Sequence, residues 1–262
     1  MKDTTISWTD ATFNIAWGCR KVSPGCAHCY AERLSARYGF GVWGPRGPRR
    51  TFGEAHWNEP LRWNAEAASQ GERRRVFASS MCDVFEDHPT IDAERTKLWP
   101  LIDATPSLDW QILTKRPERI RPSLPRDWGE QGRPNVWLGV SIESAEYVRR
   151  ADVLRTIPAV VRFVSYEPAL GPLADALVLS GLDWVIYGGE SGARHRAHEV
   201  QWARDLRDKC RRAGVAFFYK QGSGFRPGMD ATLDGRTLHA WPTPRFGSPY
   251  RGEPYMPEVG RG

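Results

Sequence analysis

The chain has 262 residues, 40% of them hydrophobic and 26% charged, with a formal net charge of +6. That length buries one good core, so one domain with at most an insertion is expected. No apolar run approaches the roughly 20 residues of a membrane helix, and "MKDTTISWTD" (1–10) lacks the basic-then-apolar layout of a signal peptide. The expectation is a cytoplasmic protein without a membrane partner, whose five cysteines stay reduced.

In chain order, β-rich runs alternate with helical patterns. Strands are expected at 13–18, 75–80, 110–114, 135–141, 161–166, 183–189 and 215–220. Apolar spacings of three and four predict helices over 29–38, 91–102, 145–155 and 200–213. Thr90 and Ser144 are their expected N-caps and Gly214 a stop. The alternation predicts an α/β fold, a (β/α)6-7 partial or near-complete TIM-like barrel, with a doubly wound open sheet as the alternative. Residues 40–65, rich in Gly, Pro, Arg and Trp, break the pattern and read as an inserted loop. The barrel with its insertion is expected over 1–225. A Gly/Pro-rich C-terminal extension follows over 226–262, poorly ordered towards its end.

In such folds functional residues gather at the carboxyl ends of the strands. Here Cys19, Asp83, Lys115, Ser141, Glu143, Glu167, Glu190 and Lys220 fall at those ends. Glu190 is a candidate for substrate or ribose binding, or for accepting a proton. Basic clusters such as "GPRGPRR" and "TKRPERIRP" suit a polyanionic partner, or are solvated charge runs. Within 40–65, Trp43, Arg46, Arg49, Arg50 and Trp57 read as base-stacking and phosphate contacts, or as a lid packed on the barrel mouth. His195 and His198 have i, i+3 spacing that suits a metal, a polyanion contact or plain exposure.

The stretch "NIAWGCRKVSPGCAHCYAERL" (14–34) holds Cys19, Cys26 and Cys29 in a C-x6-C-x2-C pattern. Three thiols neither pair off as disulfides nor complete a four-thiolate site. Three thiolates on a cubane iron–sulfur cluster leave one iron open, as a catalytic zinc site leaves one position open. Pro24 and Gly25 turn the chain, Gly25 allowing a tight approach to Cys26, and a helix opening at Cys26 and Cys29 favours thiolate charge. Zinc held by the three cysteines with His28 or a distant His is the competing reading. Cys210, mid-helix, reads as structural.

These residues resemble the radical S-adenosylmethionine (SAM) superfamily, whose usual spacing is C-x3-C-x2-C with an aromatic before the third Cys. Here the first gap is longer and His28 takes the aromatic position. "FASSMCDVFED", "ILTKRPERI", "GVSIES" and "SYEP" resemble, in order and over about 13–170, the spore photoproduct lyase-like branch. The whole chain resembles the bacteriophage Gp37/Gp68-like three-Cys-motif (DUF5131) proteins.

The resemblance implies that Cys19, Cys26 and Cys29 hold a [4Fe-4S] cluster whose open iron binds SAM. It assigns SAM binding to Ser80 or Cys82 with Asp83, to Lys115 and to Ser141. Lys115 would pair with the carboxylate and Asp83 accept from the ammonium. Glu143 and Glu167 join them as rim residues for SAM or substrate. Gly188 and Gly189 would be close-approach positions near the adenosine or substrate, or simply a tight turn. Cys82 is a candidate hydrogen donor, or a small packing residue. The implied activity is reductive SAM cleavage that modifies or repairs a nucleic acid or nucleotide, with an electron-donor protein as partner. The alternatives are a zinc-stabilised nucleic-acid-binding protein and a phosphate-handling (β/α) enzyme with structural cysteines.

Overall fold

The computed structural model describes residues 4–245. Seven strands pair in chain order, all parallel: β1 Ala11–Phe13, β2 Arg74–Ala78, β3 Leu108–Thr114, β4 Val136–Ser141, β5 Val161–Tyr166, β6 Trp184–Gly188 and β7 Ala216–Gln221. Three helices fill the β1–β2 crossover: α1 Tyr30–Arg37, α2 Glu54–Trp57 and α3 Glu59–Gln70. Then come α4 Pro89–Asp103, α5 Ile120–Ser123, α6 Arg149–Arg155 and α7 Val200–Ala213. The β5–β6 connection carries no helix, so the expected strict alternation lapses there.

One side chain shows that the sheet is curled. The Trp8 ring centroid lies 4.6 Å from Phe77 on β2 and 6.0 Å from Trp184 on β6. In a flat sheet those two strands would stand about 19 Å apart, four spacings of ~4.8 Å. The sheet therefore wraps around Trp8 as a half-barrel. Period-two alternation then sorts the strand residues. Val76, Ile112, Leu138, Val164 and Val185 face outward into the helix-covered core. Phe77, Trp137, Phe163, Trp184, Ile186 and Phe218 face inward and build an apolar floor with Trp8.

Among the described residues no pairing joins β1 to β7, so the barrel is open and the near-complete form is corrected. Two local causes are visible. After Phe13, side chains take over the backbone of the first strand: Ile15 N–H donates to Ser79 Oγ at 3.2 Å, and Met81 N–H to Asn14 Oδ1 at 2.7 Å. This also moves the strand expected at 13–18 back to Ala11–Phe13. On the far side, residues 238–240 bond to β7, with Tyr219 N–H donating to Leu238 O and Ala240 N–H to Phe217 O.

Other expectations shift for equally local reasons. The boundary at 65 falls inside α3, so the insertion is a lengthened β1–β2 crossover rather than a separate loop. Helix α4 begins one residue before Thr90, and its N-cap is His88, whose ring Nδ1 accepts from Thr90 N–H. The helix expected over 145–155 divides into a 3-10 turn, Ala145–Tyr147, and α6. The first part of the extension folds back: Trp184 Nε1 donates to Ala240 O, Trp241 Nε1 to Trp8 O, and Arg245 pairs with Asp183. The expected disorder of the final residues lies outside the described ones. Among the described residues no helix is long and apolar enough to cross a membrane.

Candidate functional site

Counting by two from the floor, β4 to β7 change from apolar to polar as they near their carboxyl ends. Trp137 leads to Ser141 and Glu143, Phe163 to Ser165 and Glu167, Ile186 to Gly188 and Glu190, and Phe218 to Lys220. The parallel register sets Ser141 beside Ser165. Lys115 Nζ stands 3.3 Å from Glu143, and Lys220 pairs with Glu167. The result is a concave wall of charged and hydroxyl groups above an aromatic floor.

The cysteine loop runs across this wall and is pinned at three strand ends. After β3, Arg116 donates to Arg20 O at 2.6 Å and to Cys19 Sγ at 3.8 and 3.9 Å. After β4, Glu143, 1% exposed, accepts from Ser23 Oγ at 2.6 Å and from Arg150 at 2.8 Å. Gly25 packs on the same carboxylate: a Cβ there would lie 2.5 Å from Glu143 Cγ and Oε1. The tight approach that Gly25 permits is therefore to Glu143 and not to Cys26. After β6, Glu190 bonds His28 Nδ1 at 3.1 Å and Arg196 N–H at 2.8 Å, and Arg196 reaches on to Pro24 O.

The three thiols are half-buried and free. Cys26 ends a 3-10 turn, Pro24–Cys26, and Cys29 is the N-cap of α1, so the helix opens at the third cysteine only. Burial pushes the Cys29 thiol up, while the N–H groups of Glu32 and Ala31 and the charge of Lys115 pull against it. Burial and Asp83 raise Cys19, against the opposing Arg116 guanidinium. A bound metal replaces those protons. Among the described residues no three His, Cys, Asp or Glu side chains converge on one ion-sized point. A cubane takes each thiolate on a different iron, so it needs no such convergence. The donors gathered here (a guanidinium, a lysine and a helix N-terminus) suit an anionic cluster. His28, the nearby candidate for a zinc ligand, is held by Glu190.

The remaining predicted residues fall around this loop. Asp83 accepts from Phe85 N–H, Thr114 Oγ1, Lys115 N–H and Arg116, and so ties β3 to the second strand's end. Ser80 bonds Asn14, and its carbonyl accepts from Tyr30 Oη at 3.0 Å. Cys82 packs against the core beside Ser79, and burial pushes its thiol up to about 12. A Cβ on Gly188 would meet Glu167 at 3.0 Å, and one on Gly189 would meet Ser223 N at 2.2 Å. The close approach at Gly189 is thus made by the chain's own backbone. Cys210 is buried in α7, as expected of a structural residue.

In the long crossover, packing accounts for most of the residues that read as base contacts. Arg49 forks onto Glu86 with two 2.8 Å bonds, Arg50 lies over Trp17, Phe40 and Phe52, and Trp57 packs on Phe13. His195 and His198 each bond backbone, through Gly192 O and Ser223 N–H. Sequence reasoning passed over Ser23, Arg116, Arg150 and Arg196. Arg116 was hidden inside a charge run, although its place directly after Lys115 at a strand end was a signal.

Glu190 carries a pH-dependent part of the stability. Burial alone would raise its pKa, but hydrogen bonds from Arg196 and His28 outweigh this and hold it down at about 2, against an ordinary 4.5. A depressed carboxylate stabilises the fold above its unfolded pKa, and that contribution is lost as pH falls from 4.5 towards 2. Denaturant melts of Glu190→Gln between neutral pH and pH 3 are expected to show lower stability at pH 7 and a flatter acid limb. An acid limb identical to wild type would contradict the clamp.

The fold and site define a parallel α/β half-barrel protein with a three-cysteine loop pinned across its carboxyl rim. The profile of the family described as "Protein of unknown function (DUF5131)" matches residues 3–242, and the chain belongs to that family. No curated protein matches the sequence. Among solved structures the chain is similar to a spore photoproduct lyase mutant with bound AdoMet and dinucleoside spore photoproduct, at TM-score 0.48 and 14% identity, over 79% of this chain and 62% of that one. It is also similar to a spore photoproduct lyase complexed with dinucleoside spore photoproduct, at TM-score 0.47 and 15% identity over the same shares. The chain therefore spans less than two thirds of the length of those proteins.

Proposed function

We propose that this protein is a radical SAM-type enzyme in which Cys19, Cys26 and Cys29 hold a [4Fe-4S] cluster and the inner wall holds SAM. The observation that carries the reading is the odd set of three thiols, fixed over the polar mouth of an open half-barrel. When bound, the cluster with SAM supplies a one-electron cleavage of the sulfonium and, through it, hydrogen abstraction from a substrate carbon.

The chain's own residues bind, orient and exclude. Lys115, paired with Glu143, offers a cation to the methionine carboxylate. Ser80, Ser141 and Glu167 supply hydrogen-bonding groups along the wall, and Gly188 leaves room beside Glu167. Asp83, Glu143 and Glu190 act mainly by holding the loop and Arg116 in place. The aromatic floor closes the base of the mouth to water. Cys82, a neutral thiol beside Cys19, is the candidate hydrogen donor.

The substrate in this reading is a nucleic acid or nucleotide. Exposed Arg20, Arg46 and Arg194 lie in segments that follow β1 and β6. Tyr38 and Phe225, each 60% exposed, follow β1 and β7. Cations interleaved with open rings suit phosphates and bases. An electron-donor protein is the further partner. The test is incubation of the anaerobically reconstituted, reduced protein with SAM. Equal amounts of 5′-deoxyadenosine and methionine are expected. Cluster-loaded, reduced protein that yields neither would refute the reading.

A further inference from the structure

We infer that Arg116 sets the reduction potential of the iron bound by Cys19, through hydrogen bonds to the ligand sulfur and through its charge. This rests on the iron–sulfur reading above and adds to it a residue that acts on the ligand and not on the substrate.

Arg116 is 4% exposed and directly follows Lys115. Its two terminal nitrogens reach Cys19 Sγ at 3.8 and 3.9 Å, the range of N–H···S hydrogen bonds. The fork is held from behind. One terminal nitrogen also donates to Asp83 Oδ2 at 2.7 Å, and the other to Arg20 O at 2.6 Å, with Glu86 Oε1 at 3.7 Å. Glu86 is in turn locked to Arg49, whose guanidinium bonds the carbonyls of Val42, Gly44, Gly47 and Pro48 in the long crossover. A buried chain of alternating charge, Arg49–Glu86–Arg116–Asp83, thus meets the first cysteine's sulfur at Arg116. Asp83 bonds Thr114 and Lys115 as well, so the guanidinium cannot swing away without breaking the end of β3.

The physical effect follows from charge. One-electron reduction makes the cluster and its thiolates more negative. A fixed cation and N–H donors on a ligand sulfur stabilise that state, and raise the potential. Anions behind the cation oppose it. The arrangement predicts opposite signs for substitutions only a few ångströms apart.

The experiment is an EPR-monitored redox titration of anaerobically reconstituted protein with dithionite and mediators. Wild type is compared with Arg116→Gln, Arg116→Lys and Glu86→Gln, and iron and sulfide are measured on each sample. Arg116→Gln is expected to shift the midpoint negative. Arg116→Lys, which keeps the charge and loses the fork, is expected to shift it negative by less, and Glu86→Gln to shift it positive. If Arg116→Gln does not fold, the opposite signs of the other two carry the test. Loaded variants whose midpoints equal wild type, or move in one direction irrespective of charge, overturn the assignment of Arg116 while leaving the cluster in place. A wild type that takes up no iron and sulfide overturns the iron–sulfur reading itself, and the inference falls with it.

Discussion

Cys26→Ala is expected to abolish reductive SAM cleavage and to strip most of the iron from the reconstituted protein while leaving it folded. Loss of even an outer-shell partner of a metal typically costs about 10–100-fold in affinity or activity. Removing a ligand at a three-ligand site should exceed the upper figure. The fold survives because Cys26 ends a short 3-10 turn at the rim, is half-buried, and lies outside both apolar clusters. Cys210→Ala is the internal control: buried in α7, it should cost stability and leave iron content unchanged. Iron and sulfide analysis with a thermal melt on each variant separates the two effects. Equal iron content in Cys26→Ala and wild type would contradict the assignment of the triplet.

Glu143→Ala is expected to have the next largest effect, on stability and loading together. The carboxylate joins Ser23, Lys115 and Arg150 and underlies Gly25. Removing one partner of a buried ion pair leaves the other uncompensated, at a cost of roughly 3–5 kcal/mol. Arg150 keeps one bond, to Ser141 O, which places the expected loss at the lower end of that range. The cysteine loop also loses its central pin, so iron uptake should fall even where the protein is folded. Glu143→Gln retains an acceptor for Ser23 and the volume against Gly25, and should recover most of the loading. Urea melts and iron content of both variants test this. Full loading of a destabilised Glu143→Ala would show that the loop holds its shape without the pin.

The fold was readable where each strand repeats one simple pattern. The runs at β3 to β7 alternate apolar residues between two buried faces, and all five fall close to their expected places. What the alternation did not show was closure. Whether seven strands form a full or an open barrel depends on the last turns of β1 and the outer edge of β7. There the deciding contacts come from Ser79, Asn14 and residues 238–240, distant in sequence.

The site was legible as a set of rim positions and not as a set of partnerships. Lys115, Ser141, Glu143, Glu167 and Glu190 stand out in the sequence because they end strands, and the structure sets them on the inner wall. The sequence does not display that Glu143 and Glu190 both bind the cysteine loop, since Ser23 and Glu143 stand 120 residues apart and His28 and Glu190 stand 162 apart. The long gap between Cys19 and Cys26 gains a local explanation. It contains Arg20 and Ser23, whose carbonyl and hydroxyl are the attachment points for Arg116 and Glu143. The extra residues are used to fasten the loop at two strand ends.

The most direct test of the central claim is metal and sulfide analysis of the protein purified without oxygen. A three-thiolate [4Fe-4S] site predicts about four iron and four acid-labile sulfide per chain, with zinc well below stoichiometric. One zinc per chain with no iron or sulfide would contradict it, and would make the cysteine loop a structural metal clip.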